Sequence, residues 1–289
     1  MSYDLYLIPE AFDGEAIHAW FAGRGRYRDN QYTNDDTGVY FMINVQTDAE
    51  EDEDPEALKA PYVGININYF RPRTFALEAE REVAAFLARF PSRIHDPQRM
   101  GDGPYSREGF LEGWDYGNRV TVGVMRERGV ERPKTADSAR LEAVWDWNYR
   151  RAGLQAEAGD HLFVPKIVWV VPTPGADPEP AVTWTFGVAT IIPESLITRV
   201  VLVRQERPKL LKLLARNSDP KFEYKLINAE GGIRIAGIER GEIDGRPALF
   251  TPQTGPLEMQ ALFSGAWSRP QFRLLQPEFV LDRDLVEAA

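Results

Sequence analysis

The segment from Val63 to Phe90 constrains the fold of this chain more than any other. Between Val63 and Phe70 apolar residues alternate with small or polar ones, the period of two expected of a strand with one buried face. Pro72 fixes its own φ and turns Arg71 away from the helical region, so Arg71-Pro72-Arg73 reads as a corner. Beyond it Thr74 is placed to cap a helix on which Phe75, Ala79, Val83, Phe86, Leu87 and Phe90 share a face, and Pro91 ends that helix.

The flanking sequence extends this unit. Tyr3 to Ile8 reads as a strand, and Asp13 can cap a helix with Phe12, Ala16, Ile17, Trp20 and Phe21 at helical spacing. Val39 to Val45 reads as a second strand, and a short segment around Ile94 follows the long helix. The order strand, helix, strand, strand, helix, strand is a ferredoxin-like βαββαβ pattern, so an α+β class is expected. We place an α+β sandwich in residues 1–155 and a β-rich part in residues 156–289, either a second domain or a continuation of the first.

The later sequence has a different texture. Gly109, Gly113 and Gly117, four residues apart, would give a helix a smooth ridge for close packing. A further helix starting at Thr135 or Asp137 has Leu141, Val144, Trp145 and Tyr149 on one face, with Trp147 and Asn148 off that stripe. Such a tryptophan marks either a binding surface or a buried contact that helical spacing does not anticipate. Leu162 to Val171, Ala181 to Ile192 and Ile197 to Arg204 read as an antiparallel meander, interrupted by the proline-rich stretch Pro172 to Pro180. Pro208 to Arg216 reads as a short basic amphipathic helix.

Charge narrows the possible partners. Residues 1–80 hold 16 carboxylates against 6 Lys or Arg, while the other 209 residues hold 28 of each sign. The whole net charge of −10 therefore resides in the N-terminal segment. Asp48, Glu50, Glu51, Asp52, Glu53, Asp54 and Glu56 put seven carboxylates in nine residues between two strands. An acidic surface of this kind repels nucleic-acid phosphates and anionic lipid headgroups, and either steers a basic protein or simply keeps the chain in solution. No run of about 18 apolar residues is present, and the N-terminus lacks the pattern of a signal peptide, so a cytoplasmic location is expected.

Motifs for chemistry are sparse. Without cysteine the chain has no disulfide, thiolate nucleophile or thiolate metal site. His18, His95 and His161 do not stand at metal-ligand spacing, and neither a phosphate-binding glycine loop nor a nucleophile elbow is present. No catalytic residue, metal or cofactor is expected. The remaining candidates for a small-ligand pocket are Arg71 and Arg73, which could clamp a carboxylate or phosphate, together with His95, Trp114 and Tyr116. The competing reading pairs the two arginines with Glu78 and Glu80 of the following helix.

Ser2-Tyr3-Asp4-Leu5-Tyr6, Asn34-Asp35-Asp36-Thr37-Gly38-Val39-Tyr40-Phe41 and Asn68-Tyr69-Phe70-Arg71-Pro72 resemble segments of acidic bacterial proteins of the polymorphic-toxin immunity type. The resemblance covers residues 1–120 and transfers no functional residue. It implies a non-catalytic inhibitor that holds a basic toxin or effector domain, with the acidic run as the partner-binding segment. An enzyme or small-ligand protein is the alternative.

Overall fold

A computed structural model of the chain describes residues 1–47, 61–99, 101–205, 222–229, 238–267 and 272–289. The acidic run Asp48 to Glu56 and the basic stretch Pro208 to Arg216 lie outside the described residues. Mixed helices and mainly antiparallel sheets place the chain in the α+β class. It divides into two compact units, Met1–Glu142 with Glu278–Ala289, and Ala143–Pro277, where the sequence pattern suggested a division near residue 155.

The first unit opens with β1 (Ser2–Pro9), α1 (Gly14–Ala22), β2 (Tyr27–Arg28), β3 (Gln31–Asn34), β4 (Val39–Gln46) and β5 (Tyr62–Asn68). It continues with α2 (Thr74–Arg89), β6 (Ser92–Asp96), β7 (Gly101–Gly103), α3 (Arg107–Glu127) and β8 (Lys134–Ala136), and α4 (Ser138–Ala158) begins in it. Among the described residues the sheet runs β2-β3-β4-β5-β1-β6-β7, with every neighbouring pair antiparallel. Its central strands follow the order β4-β5-β1-β6. Between β6 and α3 lie a 3-10 turn, Pro97–Arg99, and the edge strand β7.

Alternation sorts the sheet into two faces. Tyr3, Leu5 and Leu7 of β1, Val39, Phe41 and Ile43 of β4, and Val63, Ile65 and Ile67 of β5 are buried. Helices cover that face: Phe110 of α3 meets Tyr3 edge-on at 5.2 Å, and Trp20 and Phe21 of α1 pack on Phe86 of α2. The apolar stripe of α2 is buried as its periodicity requires, from Phe75 and Ala79 to Val83 and Phe86. Its capping differs from expectation, because Thr74 is already inside the helix and no side chain caps from the Arg73 position. The Arg73 N–H instead donates to Asp282 at 2.7 Å, a carboxylate 209 residues away in sequence.

Three glutamates of α2, Glu78, Glu80 and Glu82, are also buried, which an amphipathic pattern does not anticipate. Each accepts a hydrogen bond from a tyrosine: Tyr32 to Glu78 at 2.5 Å, Tyr105 to Glu80 at 2.9 Å and Tyr27 to Glu82 at 2.8 Å. Asn34 adds a donor to Glu78, while Arg24 and Arg107 pair with Glu82 and Glu80. Burial, and next the facing carboxylate, push the three phenols above their ordinary range, so they stay protonated donors. A buried carboxylate held by donors locks α2 on the sheet, since removing one donor would leave charge unsatisfied.

Helix α3 is continuous through Val120 to Val124. Ser106 caps it by accepting from the Gly109 N–H at 3.0 Å. Gly117 is where the glycine ridge meets its neighbour, because a Cβ there would overlap the Tyr69 hydroxyl.

The second unit contains β9 (Ile167–Val171), β10 (Glu179–Thr185), β11 (Ile191–Pro193), β12 (Arg199–Gln205), β13 (Phe222–Asn228), β14 (Glu239–Ile243), β15 (Arg246–Phe250), α5 (Leu257–Leu262) and β16 (Arg273–Leu275). Its strands form sheets ordered β13-β12-β10-β9-β16 and β11-β15-β14. The expected meander is broken: Ala181 to Ile192 is two strands, and β10 and β12 are parallel because the chain between them visits the other sheet. Trp147 and Asn148 are buried and grip the start of β9. Trp147 Nε1 donates to the Pro165 carbonyl at 2.9 Å, and Asn148 exchanges two bonds with the Ile167 backbone. The off-stripe tryptophan is thus a packing residue and not a surface one. The chain closes in the first unit with β17 (Val280–Asp282), parallel to β8, and α6 (Arg283–Ala288).

Candidate partner-binding site

The Arg71-Pro72-Arg73 corner is a structural junction. Arg73 donates through Nε to both oxygens of Asp115 at 3.2 Å and through Nη1 to Glu142 at 3.0 Å, while its amide holds Asp282. Arg71 donates to Tyr40 Oη at 2.8 Å and to its neighbouring Phe70 carbonyl at 2.9 Å, and lies 3.9 Å from Glu278. Glu78 and Glu80 are not their partners, being held by the tyrosines described above. Both guanidinium groups are thus engaged within the unit, and the corner ties α2, α3, α4 and the C-terminal segment together.

The other pocket candidates are not brought together into one pocket. Trp114 is fully buried against Tyr69, at a ring separation of 5.2 Å. Tyr116, two residues along the same helix, is 65% exposed. His95 lies on β6 opposite Tyr6, on the sheet face that the helices do not cover. A strand's alternation therefore separates His95 from Trp114 by the thickness of the sheet.

Asp282 has an unusual environment. It is 3% exposed, Oδ2 accepts from the Arg73 amide, and Oδ1 has no hydrogen-bond partner among the described residues. Burial pushes its pKa up to about 6 against the stabilising Arg73 amide and the neighbouring Ser138 hydroxyl, and the nearby Asp115 adds to the rise. The folded state therefore keeps a proton that the unfolded chain loses near pH 3.8. Its contribution to stability is complete below that value and is lost as pH rises through about 6. Asp282→Asn retains an acceptor for Arg73 without the charge. The variant is expected to be about 2–3 kcal/mol more stable than the parent at pH 8, with the gain vanishing below pH 4. Thermal unfolding at the two pH values checks this, and an equal offset at both would contradict it.

The other face of the seven-stranded sheet, which no helix covers among the described residues, is polar and aromatic. In register across it stand Met42, Asn66 and Asp4, and one row further Asn44, Gly64, Tyr6 and His95. Asn66 donates to Asp4 at 2.5 Å, and Tyr62 meets Tyr6 edge-on at 5.2 Å above Gly64. In sequence the acidic run falls between β4 and β5, neighbouring strands whose pairing reaches Gln46 and Tyr62. No group of three or more potential metal ligands occurs among the described residues, nor any helix long and apolar enough to cross a membrane.

Compared with protein-family models, curated proteins and solved structures, the chain matches none.

Proposed function

We propose that this chain is a non-catalytic cytoplasmic binding protein that holds a basic protein partner, in the manner of an immunity protein inhibiting a toxin or effector domain. The observation that supports this reading is the concentration of negative charge between two neighbouring strands. Seven carboxylates in nine residues connect β4 to β5 of a sheet whose helix-free face carries Tyr6, Tyr62 and His95. Concentrated negative charge speeds encounter with a basic surface, and the partly exposed Tyr6 and His95 of the sheet provide contact area. The pocket alternative gains no support from Arg71 and Arg73, whose guanidinium groups already meet phenol and carboxylate groups of the unit.

Affinity capture tests the reading. The tagged chain, exposed to a lysate of its source cells at low salt and eluted with rising salt, is expected to release one stoichiometric basic protein. A folded bait that yields no partner, or a partner indifferent to salt, would count against the proposal.

A further inference from the structure

The second unit carries a surface of its own at β13, the outer strand of its larger sheet. Antiparallel pairing with β12 runs unbroken from Phe222 to Asn228, and among the described residues no strand pairs with the other side of β13. At seven residues it is the longest edge strand among the described residues, the others having two to five. Sheet edges are ordinarily guarded against a neighbouring chain by shortness or by charge. The five-residue β14 carries Glu239, Arg240 and Glu242, whereas β13 has only Glu223 and Lys225, of opposite sign.

Apolar side chains reach this edge. Phe222, Tyr224 and Leu226 alternate along one face of β13, where Tyr224 stands beside Val203 and Leu226 beside Val201. Val201 and Val203 are buried with Val170 and Ala181, and Leu226 packs against that cluster. Phe222 and Tyr224 continue the apolar face to its margin, where they are 48% and 40% exposed. Glu223 and Lys225 share the opposite face. Lys225 is exposed, and Glu223 Oε2 accepts from Arg204 Nε at 2.7 Å.

Register decides what can pair with this strand. When two β13 strands run antiparallel about Tyr224, Glu223 of each copy lies opposite Lys225 of the other, Phe222 lies opposite Leu226, and Tyr224 faces itself across the axis. Moving the centre by one residue sets Lys225 against Lys225, or Glu223 against Glu223. Like charges directly opposite are destabilising, so the strand's own charges select the Tyr224 register.

We propose that β13 binds a second copy of this chain, edge to edge and antiparallel about Tyr224, joining the two larger sheets into one. The contact is isologous and closes at two copies. A single strand pair offers less area than the roughly 1,600 Å² of a standard interface, so the dimer is weak, with a dissociation constant on the order of 10–100 μM.

Sedimentation equilibrium of the full chain from about 1 to 500 μM provides the test, with reversible association from monomer to dimer expected across that range. Lys225→Glu, at an exposed side chain, sets carboxylate against carboxylate twice and should weaken the dimer about tenfold or more. Glu223→Lys should do the same, yet an equimolar mixture of the two variants should dimerise, because each presents to the other the opposite charge. If Glu223→Lys fails to fold without its Arg204 pair, cross-linking replaces the mixture. The chain has no cysteine, so Tyr224→Cys places a single thiol on each copy. With Cβ atoms about 4.5–5.5 Å apart across the axis, oxidation should link two copies by a disulfide. Asn228→Cys, whose thiols would stand roughly 27 Å apart in the same register, should not cross-link. A chain that stays monomeric throughout would overturn the proposal. So would a dimer that Lys225→Glu leaves unchanged, or equal cross-linking at the two positions.

Discussion

Trp114→Ala is expected to lower the stability of the first unit by about 3–5 kcal/mol, the range for removing a fully buried large aromatic side chain. Trp114 is inaccessible to solvent, packs on Tyr69, and precedes Asp115, one of the carboxylates that hold Arg73. Its loss opens a cavity under the corner, where Gly117 leaves no slack because Tyr69 already fills the space above it. The Trp114 Nε1 and Tyr69 Oη groups have no hydrogen-bond partner among the described residues, so the ring and not its polar edge carries the stabilisation. Trp114→Phe should accordingly cost far less, about 1–2 kcal/mol. Urea unfolding of the two variants separates these cases. An alanine variant within about 1 kcal/mol of the parent would mean that the corner does not depend on this packing.

Neutralising the acidic run should have the largest effect on recognition. With Asp48, Asp52 and Asp54 changed to Asn, and Glu50, Glu51, Glu53 and Glu56 to Gln, seven negative charges are removed from a chain of net −10. Association with the basic partner at low salt is expected to slow by about 10- to 1,000-fold, with a much smaller change in dissociation. At high salt, where the screening length falls to about 3 Å, the parent and neutralised chains should associate at similar rates. Stopped-flow association across a salt series measures this directly. An unchanged low-salt rate would remove the run from the recognition event.

The structure explains why some of this was legible in the sequence and some was not. β1, β4, β5 and the apolar face of α2 follow from periodicities of two and 3.6, which depend only on near neighbours. The Asp13 cap was legible for the same reason, its carboxylate accepting from the Ala16 N–H three residues on. Arg73 was recognisable as a cation at a corner, but its partners Asp115, Glu142 and Asp282 lie 42, 69 and 209 residues away, beyond any local pattern. The buried glutamates of α2 mislead periodicity in another way. A glutamate at a core position reads as solvent-facing until the tyrosine that satisfies it is found, and Tyr32 and Tyr27 come from a distant hairpin. Trp147 fell off the apolar stripe because α4 is buried on more than one side. The parallel pairing of β10 with β12 depends on β11 leaving for a second sheet, which alternation does not encode. The left-handed backbone of Phe70 is held by Asn118, 48 residues away, so it too lies beyond any local pattern.

Protection from the captured partner tests the central claim most directly. The basic protein recovered by salt elution would be expressed alone in a surrogate host, then with this chain, and then with the neutralised chain. The account predicts that the partner alone arrests growth, that this chain restores it, and that the neutralised chain restores it poorly. A partner harmless on its own, or equally toxic with and without this chain, would contradict the reading of the protein as an immunity-type inhibitor.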